Sequence, residues 1–199
     1  MNYSALAIVW TSMIGLEAAV TEPTERGGAE EERAAAFARL ADRQLGASYR
    51  LAGVLLGSDA DAQDAVQDAA LIAWHRFGSL RDPERFPAWF QRILVNGCRD
   101  RLRQRSRVRI LPMDAAMEVG RPFPSARLAE RDALAQVLAE LGPDQRTVIV
   151  LHYFAGLTLE AVAEQTGERL GTVKSRLHAA LGALHAAYDA ADRDGEGNL

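Results

Sequence analysis

The sequence predicts an all-α protein, made of two small helical domains joined by a flexible linker. After residue 33, apolar residues recur every three or four positions, which is the period of an α-helix. No run of β-branched residues alternates with polar residues, so the sequence offers no candidate strand. Residues 110–127 hold three prolines and one glycine without any periodicity, which is typical of a linker between domains.

The composition excludes several classes of protein. With 199 residues, of which 48% are hydrophobic and 25% charged, the chain has the composition of a globular protein rather than a disordered or fibrous one. Its single cysteine, Cys98, excludes an internal disulfide framework and a cysteine-based zinc site. The net charge of −4 argues against a general polycation, so any basic surface must come from a local cluster.

Residues 1–33 are predicted to form a flexible N-terminal extension. The apolar stretch 3–16 is shorter than the roughly 18–20 residues that span a membrane. No basic residue precedes Arg26, so a cleaved signal peptide is not favoured either. Residues 21–32 have linker composition. A loosely docked extension and a start codon placed too far upstream both remain open as interpretations.

Three helices are predicted in the N-terminal half. Apolar spacing predicts the first over 34–56 and the second over about 60–77, separated by a Gly-Ser-Asp break. The second helix carries three acids on one face, which are Asp61, Asp64 and Asp68. Pro87 suits the first position of a third helix, which runs to about residue 105.

The end of the third helix is strongly basic. Residues 99–109 contain six arginines and one acid, Asp100, which gives this segment a local charge of +5. One or two cations would be enough to complement the dipole at a helix C-terminus. Six favour a polyanion, because cations that neutralise phosphates release the counterions of the nucleic acid. This cluster therefore predicts nucleic-acid binding.

The C-terminal half contains the most specific pattern of the chain, at residues 158–181. Thr158 can cap a short helix, and Gly167 suits the left-handed residue of a tight turn. A second helix begins near Gly171, with Val173 and Leu177 facing inward. This pattern predicts a helix-turn-helix, whose second helix enters the major groove of DNA. Its outer face presents the polar side chains of Lys174, Ser175 and His178, and Thr172 lies at its N-terminus, where it can bind a phosphate.

Residues 36–187 resemble the extracytoplasmic-function sigma factors, the smallest sigma-70-type initiation factors of bacterial RNA polymerase. The segments LGPDQRTVIVLHYFAGLT and GTVKSRLHAA resemble the C-terminal domain of these proteins. The segments DAQDAVQDAALIAWHRF and FPAWFQRILVNGCRDRLR resemble their N-terminal domain. The resemblance implies sigma domain 2 over 34–107, a linker over 108–127, sigma domain 4 over 128–188 and a tail over 189–199.

The resemblance also implies partners. It implies a cytoplasmic sigma factor without cofactor or membrane association. This factor binds promoter DNA, and it binds core RNA polymerase at the β′ clamp helices and the β flap of the polymerase. It leaves an anti-sigma factor open as a further partner. The residues expected on the β′ clamp helices lie on the second helix and are Asp61, Asp64, Gln67 and Asp68.

The residues implied for promoter DNA fall into two sets. The −10 set comprises a base-stacking Phe86, base-reading Asn96 and Asp100 with Ile93 on the same line of the helix, and phosphate-binding Arg99 and Arg103. The −35 set comprises Thr172, Lys174, Ser175, Arg176 and His178. Within it, Arg176 is expected to reach a phosphate or the carboxylate of Glu160.

No catalytic motif competes with this interpretation. The sequence lacks HExxH, GxxxxGK[ST], GxGxxG and GxSxG, so a non-enzyme is predicted. A helix-turn-helix regulator that is not a polymerase subunit would need a receiver domain or ligand pocket upstream, which the all-helical first half argues against. A helical adaptor that binds only protein, such as a sigma antagonist, would not need the arginine cluster.

Overall fold

The computed structural model describes residues 25–110 and 136–196, and every regular element in these two ranges is helical. The all-α prediction is therefore confirmed. The elements are α1 (Glu25–Leu56), α2 (Asp59–Arg76), α3 (Phe86–Ile110), α4 (Pro143–Ile149), α5 (Leu159–Thr166) and α6 (Leu170–Glu196). The apolar stretch 3–16 and most of the predicted linker lie outside the described residues.

Three helix boundaries differ from the expected ones. Helix α1 begins at Glu25, inside the range predicted as a flexible extension, because Glu, Ala and Arg are good helix formers and outweigh the glycines there. Arg33 also ties this part of α1 to α2, since its guanidinium lies 4.9 Å from the Trp74 ring centroid. Helix α3 extends to Ile110 and α6 extends to Glu196, so the helices also cover part of the ranges predicted as linker and tail.

The first half packs α1, α2 and α3 around an aromatic centre. The ring of Phe37 in α1 meets Trp74, Phe77 and Phe86 edge to face, with centroid distances of 5.4, 5.1 and 5.7 Å. A tight connection between α1 and α2 brings these rings together. Gly57 adopts a φ of +69° there, and the Ser58 side chain accepts a hydrogen bond from Asp61 N.

The second half packs α4, α5 and α6 around a smaller core. A π-helical turn (Val150–Phe154) follows α4, and Gly156 with a φ of +69° redirects the chain. Leu138, Val173 and Ala180 are buried in this core, whereas Val137 and Leu181 lie at its edge and are 37% and 36% exposed.

The two halves contact each other along α3. Helices α4 and α5 pack against it, and the buried residues of both halves form one continuous cluster. Polar contacts cross the same boundary. Gln165 Nε2 donates to Ala88 O at 3.3 Å, and Arg146 Nη2 donates to Val54 O at 3.2 Å. None of the helices in the described ranges has the length and apolar character that a membrane-spanning helix needs.

Candidate nucleic-acid interface

Helices α5 and α6 form the predicted helix-turn-helix. Thr158 Oγ1 accepts a hydrogen bond from Ala161 N at 3.2 Å and so caps α5. Gly167 ends α5 with a φ of +70°, the left-handed conformation that the sequence predicted for this position. Val173 of α6 is fully buried against α5 and α4 and fixes the rotation of α6 about its axis.

The N-terminal half of α6 presents its polar face to solvent. Four of the five residues predicted for the −35 element are exposed: Thr172, Lys174, Ser175 and His178. Ser175 Oγ donates to Thr172 O at 2.9 Å, and its oxygen stays on the outer face. Donors and acceptors at these positions can reach base edges when the opposite face of the helix is packed.

Arg176, the fifth residue of this set, has a different partner from the expected one. Its guanidinium pairs with Glu168, which lies in the turn before α6, and with Asp144 Oδ2 at 3.1 Å. The expected pairing with Glu160 is wrong, because Glu160 lies in the first turn of α5, at the far end of that helix from the turn that precedes α6.

Helix α3 carries the residues predicted for the −10 element. Asn96 and Asp100 are exposed, and Ile93 is half-buried against the core. Arg103 is partly exposed; its Nη2 lies 2.8 Å from Asp144 Oδ1. Its Nη1 lies 3.9 Å from Asp100 Oδ1. These four residues follow one line along α3, since they are spaced by three or four positions.

In this structure Arg99 does not lie on the predicted DNA-facing surface. Its side chain is only 6% exposed. It donates to Thr166 O at 3.1 Å and to Asp144 Oδ1 at 3.0 Å, and it also pairs with Glu168. Arg99 follows the buried Cys98 directly and lies on the side of α3 that packs against the second half. It joins the two halves.

Phe86 is also placed differently from its prediction as a base-stacking residue. It is fully buried, stacks on Phe90 at a centroid distance of 5.6 Å, and contacts the ring of Phe37. The stacking assignment is wrong because Phe86 opens α3 with its ring in the aromatic core. The loop before it presents no ring in its place, since Pro83, Glu84 and Arg85 form a short 3₁₀ turn.

Five charged residues from both halves form the interdomain cluster: Arg99, Arg103, Asp144, Glu168 and Arg176. Asp144 is its centre, because all three arginines lie within 3.1 Å of its carboxylate. Burial by itself would raise the pKa of Asp144. The hydrogen bond from Arg99 and the charges of Arg176 and Arg103 outweigh burial and hold this pKa below its ordinary value.

Two of the acids on the acidic face of α2 form ion pairs with arginines of α3. Asp61 pairs with Arg105 and Asp68 pairs with Arg101, so both acids tie α2 to α3. Burial raises the pKa of Asp61, but its hydrogen bonds with Ser58 and Arg105 bring it below the ordinary value. Asp64 is exposed and Gln67 is half-buried. No three His, Cys, Asp or Glu side chains in the described ranges are grouped to hold a metal ion.

The sequence interpretation missed the residues of the second half that contact the first half, namely Asp144, Arg146, Gln165 and Glu168. Arg146 is buried beside Val54 O, and burial together with the charge of Arg105 lowers its pKa to about 10. A signal did exist at Arg146 and Gln165. Each is a polar residue next to buried apolar ones on a short helix, in α4 and α5 respectively.

Comparison with known proteins identifies the family. Residues 40–108 match the model described as sigma-70 region 2, and residues 131–184 match the model described as sigma-70, region 4. The chain is 36% identical over 133 residues to the RNA polymerase sigma factor SigV of Bacillus subtilis, covering 67% of this chain and 79% of that protein. It is 33% identical over 141 residues to the ECF RNA polymerase sigma factor SigM of Mycobacterium tuberculosis, covering 71% of each. The chain belongs to the extracytoplasmic-function sigma factors of the sigma-70 family.

Solved structures share this fold, and one of them is of a sigma factor. CnrH, solved in complex with the cytosolic domain of CnrY, aligns with a TM-score of 0.56 and 29% identity, covering 77% of this chain and 88% of CnrH. RpoE of Bartonella quintana, solved with the anti-sigma factor NepR, aligns with a TM-score of 0.54 and 25% identity. The alignment covers 80% of this chain and 96% of RpoE. The protein is a sigma factor of RNA polymerase that directs promoter-specific initiation.

Proposed function

We propose that this sigma factor reads its promoter with two separate surfaces and binds the polymerase with a third. Residues 34–107 act as sigma domain 2, residues 128–188 act as sigma domain 4, and residues 108–127 link them. The observation that carries the proposal is the exposed polar face of α6, which sits directly after the left-handed Gly167 and opposite the buried Val173. This is the arrangement in which a recognition helix enters the major groove.

The −35 surface consists of the N-terminal half of α6. Lys174, Ser175 and His178 contact base edges, and Thr172 at the helix N-terminus contacts a phosphate. Arg176 contacts a phosphate once its carboxylate partners release it. The base contacts give the choice of sequence, whereas the phosphate contacts give affinity that is the same for every promoter.

The −10 surface consists of the exposed line along α3. Asn96 and Asp100 carry amide and carboxylate groups that can hydrogen-bond base edges, and Ile93 offers an apolar contact beside them. Arg103 supplies a cation for the backbone of the opened strand. Phe86 is not assigned to this surface, because its ring lies in the aromatic core. Arg99 joins Arg103 as a phosphate-binding residue once its partners Asp144 and Glu168 release it, as for Arg176.

The polymerase surface lies on α2 and on the second half. Asp64 is an exposed acid of the α2 face, and with Gln67 it offers acceptors to cationic side chains of the β′ clamp helices. The paired acids Asp61 and Asp68 hold α2 in place for this contact. In the second half, Tyr153 and Phe154 are 63% and 49% exposed, and aromatic side chains of this kind anchor protein interfaces, so we assign them to the β flap.

The sigma factor acts without catalytic activity and in the cytoplasm. The absence of catalytic motifs in the sequence and the membership of an initiation-factor family support this part of the proposal. A further partner of the anti-sigma class is consistent with the relatives CnrH and RpoE, whose structures were solved with such a protein or a cytosolic domain bound.

Transcription from a library of −35 sequences tests the recognition helix. Ser175→Ala and His178→Ala should each change the relative use of −35 sequences by about ten-fold or more, because one base contact supplies roughly 1–3 kcal/mol of discrimination. Both side chains are exposed, so the fold should persist. Arg176→Ala should lower transcription from all promoters alike.

His185→Ala is the matched control, since His185 is an exposed histidine on the same helix, seven positions beyond His178. It should leave the preferred −35 sequence unchanged. If Ser175→Ala and His178→Ala also leave that preference unchanged, or if Arg176→Ala alters it, the assigned face of α6 is wrong.

A further inference from the structure

Helix α1 carries three arginines on the face that points away from the core. Arg39, Arg43 and Arg50 are spaced by four and seven residues, so they lie within about 40° of one another around the helix axis. Phe37 and Ala41 lie on the opposite face and are buried. All three arginines are exposed, and none of them forms an ion pair with another residue of the described ranges. We call these three residues the α1 arginine stripe.

The α1 arginine stripe is a local feature of an acidic chain, whose net charge is −4. Two acids of α1 lie close to it without interrupting it. Asp42 projects about 100° away from Arg43 around the helix axis, and Glu32 lies about two turns before Arg39. From residue 39 to residue 50 this face therefore carries three positive charges and no negative charge.

The residues that separate the arginines on this face are small. Gly46 and Ala47 lie between Arg43 and Arg50. The Arg50 side chain folds back along the helix over this gap, since a Cβ atom on Gly46 would lie 3.5 Å from Arg50 Nη1. A partner can therefore approach the backbone of α1 closely while its own groups meet the guanidinium groups.

This chemistry fits a polyanion better than a protein surface. Protein interfaces are anchored by aromatic and other large apolar side chains, and none of these is exposed between residues 35 and 50. A row of cations along one helix is instead typical of a surface that neutralises phosphates. Guanidinium groups also hold phosphate oxygens through two parallel hydrogen bonds. The α1 arginine stripe therefore fits the backbone of a nucleic acid.

The spacing of the arginines suits a duplex. Along the helix axis, Arg39 and Arg43 are about 6 Å apart, and Arg43 and Arg50 are about 10.5 Å apart. The major groove of B-DNA is about 12 Å wide. Arg39 and Arg43 can thus pair with phosphates of one strand while Arg50 pairs with the other strand, with Gly46 and Ala47 facing the groove.

We propose that the α1 arginine stripe binds the phosphate backbone of duplex DNA, as a third DNA-contacting surface besides those on α3 and α6. Its contacts go to phosphates, so they add affinity without any preference for sequence. The stripe shares no residue with the proposed −10 and −35 surfaces. It acts beside them and does not depend on their assignment.

The salt dependence of binding to a promoter-free DNA duplex tests the phosphate contacts. The variant Arg39→Gln, Arg43→Gln, Arg50→Gln removes three cations from exposed positions of the full-length chain. The slope of the logarithm of the binding constant against the logarithm of salt concentration should become shallower by about 2–3, because each phosphate contact contributes about 0.9. Binding at low salt should weaken by about ten-fold or more. Fluorescence anisotropy measures both, and circular dichroism checks that the helices persist.

The matched control is Arg39→Lys, Arg43→Lys, Arg50→Lys, which changes the same three positions and keeps their charges. Its salt slope should stay close to that of the parent protein, because the slope counts the phosphates that are neutralised. An equal loss of slope in the lysine and glutamine variants would show that charge is not the cause, and would contradict the proposal.

A photo-crosslinker attached to α1 tests the contact in the complex of the sigma factor with core RNA polymerase and promoter DNA. Ala47→Cys places it between Arg43 and Arg50, and Ala38→Cys places it about 180° away around the same helix. Both positions are exposed. Cys98 is fully buried, and burial raises the pKa of its thiol to about 12, so the reagent reacts at the introduced cysteines. Ala47→Cys should crosslink to DNA, and Ala38→Cys should not.

An unchanged salt slope in the glutamine variant would overturn the α1 arginine stripe as a phosphate-binding surface. Crosslinking of Ala47→Cys to a polymerase subunit in place of DNA would also overturn it, since the partner would then be a protein. The glutamine variant should leave the relative use of −35 sequences unchanged, because phosphate contacts carry no sequence information. A changed −35 preference in this variant would contradict the proposal, whereas Ser175→Ala and His178→Ala test the recognition helix separately.

Discussion

Gly167 is the residue that sets the angle between α5 and α6. Its φ of +70° is a conformation that costs an L-residue roughly 1–2 kcal/mol, whereas glycine adopts it freely. Its N–H and that of Glu168 bond the last carbonyls of α5, which closes the turn. A Cβ atom here would make only an ordinary contact with Arg92, so conformational strain is the main cost of a side chain.

Gly167→Ala should therefore lower the free energy of unfolding by about 1–2 kcal/mol, measured by urea denaturation followed by circular dichroism. Gly182→Ala is the control, for which the opposite change in the free energy of unfolding is expected. Gly182 lies in the exposed interior of α6 without a positive φ, and a Cβ there meets nothing within 4 Å. It should raise the free energy of unfolding by about 0.5–1 kcal/mol. A destabilisation of equal size in both variants would contradict the argument from backbone conformation.

At the scale of an element, the acids of helix α2 have two different roles, one in packing against α3 and one on the exposed surface. Asp61 and Asp68 pair with arginines of α3 and hold the two helices together. Asp64 lies between them in sequence and is exposed. A substitution at Asp64 thus tests the polymerase surface without breaking an ion pair recorded between α2 and α3.

Asp64→Arg should reduce co-purification with core RNA polymerase by about ten-fold or more, because it places a like charge against cationic partners. Asp42→Arg makes the same charge change on the exposed face of α1 and should leave co-purification unaffected. Quantitative pull-down of purified core enzyme measures both. Equal retention by the two variants would remove this face of α2 from the polymerase interface.

At the scale of the whole molecule, the interdomain cluster makes the packing of the two halves on each other dependent on pH. The pKa of Asp144 is held below its ordinary value of 3.8, so its folded state binds a proton less readily than its unfolded state. The stabilisation that Asp144 contributes is therefore fully present above its ordinary pKa and is lost as the pH falls through the lowered value in the folded state.

The distance between the halves should thus stay constant from pH 7 to about pH 5 and increase as the pH falls below 4. Energy transfer between dyes attached to Gln63→Cys on α2 and His185→Cys on α6 measures it, because both positions are exposed and Cys98 is buried. Circular dichroism confirms that the helices persist. Asp144→Asn, which cannot titrate, should start from a larger distance and show a weaker change over the same range. An identical pH profile in both proteins would assign the change to other groups.

Some features of this sigma factor follow from the sequence by itself. The period of the apolar residues determines the helices, because each helix must bury one face. Glycine at position 167 determines the turn, because glycine adopts a positive φ without steric cost. The outer face of α6 follows from its inner face, since Val173 must be buried. These are local consequences of residue type and spacing, and the family resemblance rests on the same segments.

Other features were decided only by the tertiary structure. The count of arginines near the end of α3 could not show that Arg99 points into the second half, since that depends on a helix far away in the chain. The apolar character of Phe86 suits a base stack and a core equally, and only the meeting of α1, α2 and α3 puts it in the core. Asp144 and Glu168 gain their role in the same way. A charge acquires its partner from the packing of distant elements, and packing is a property of the whole chain.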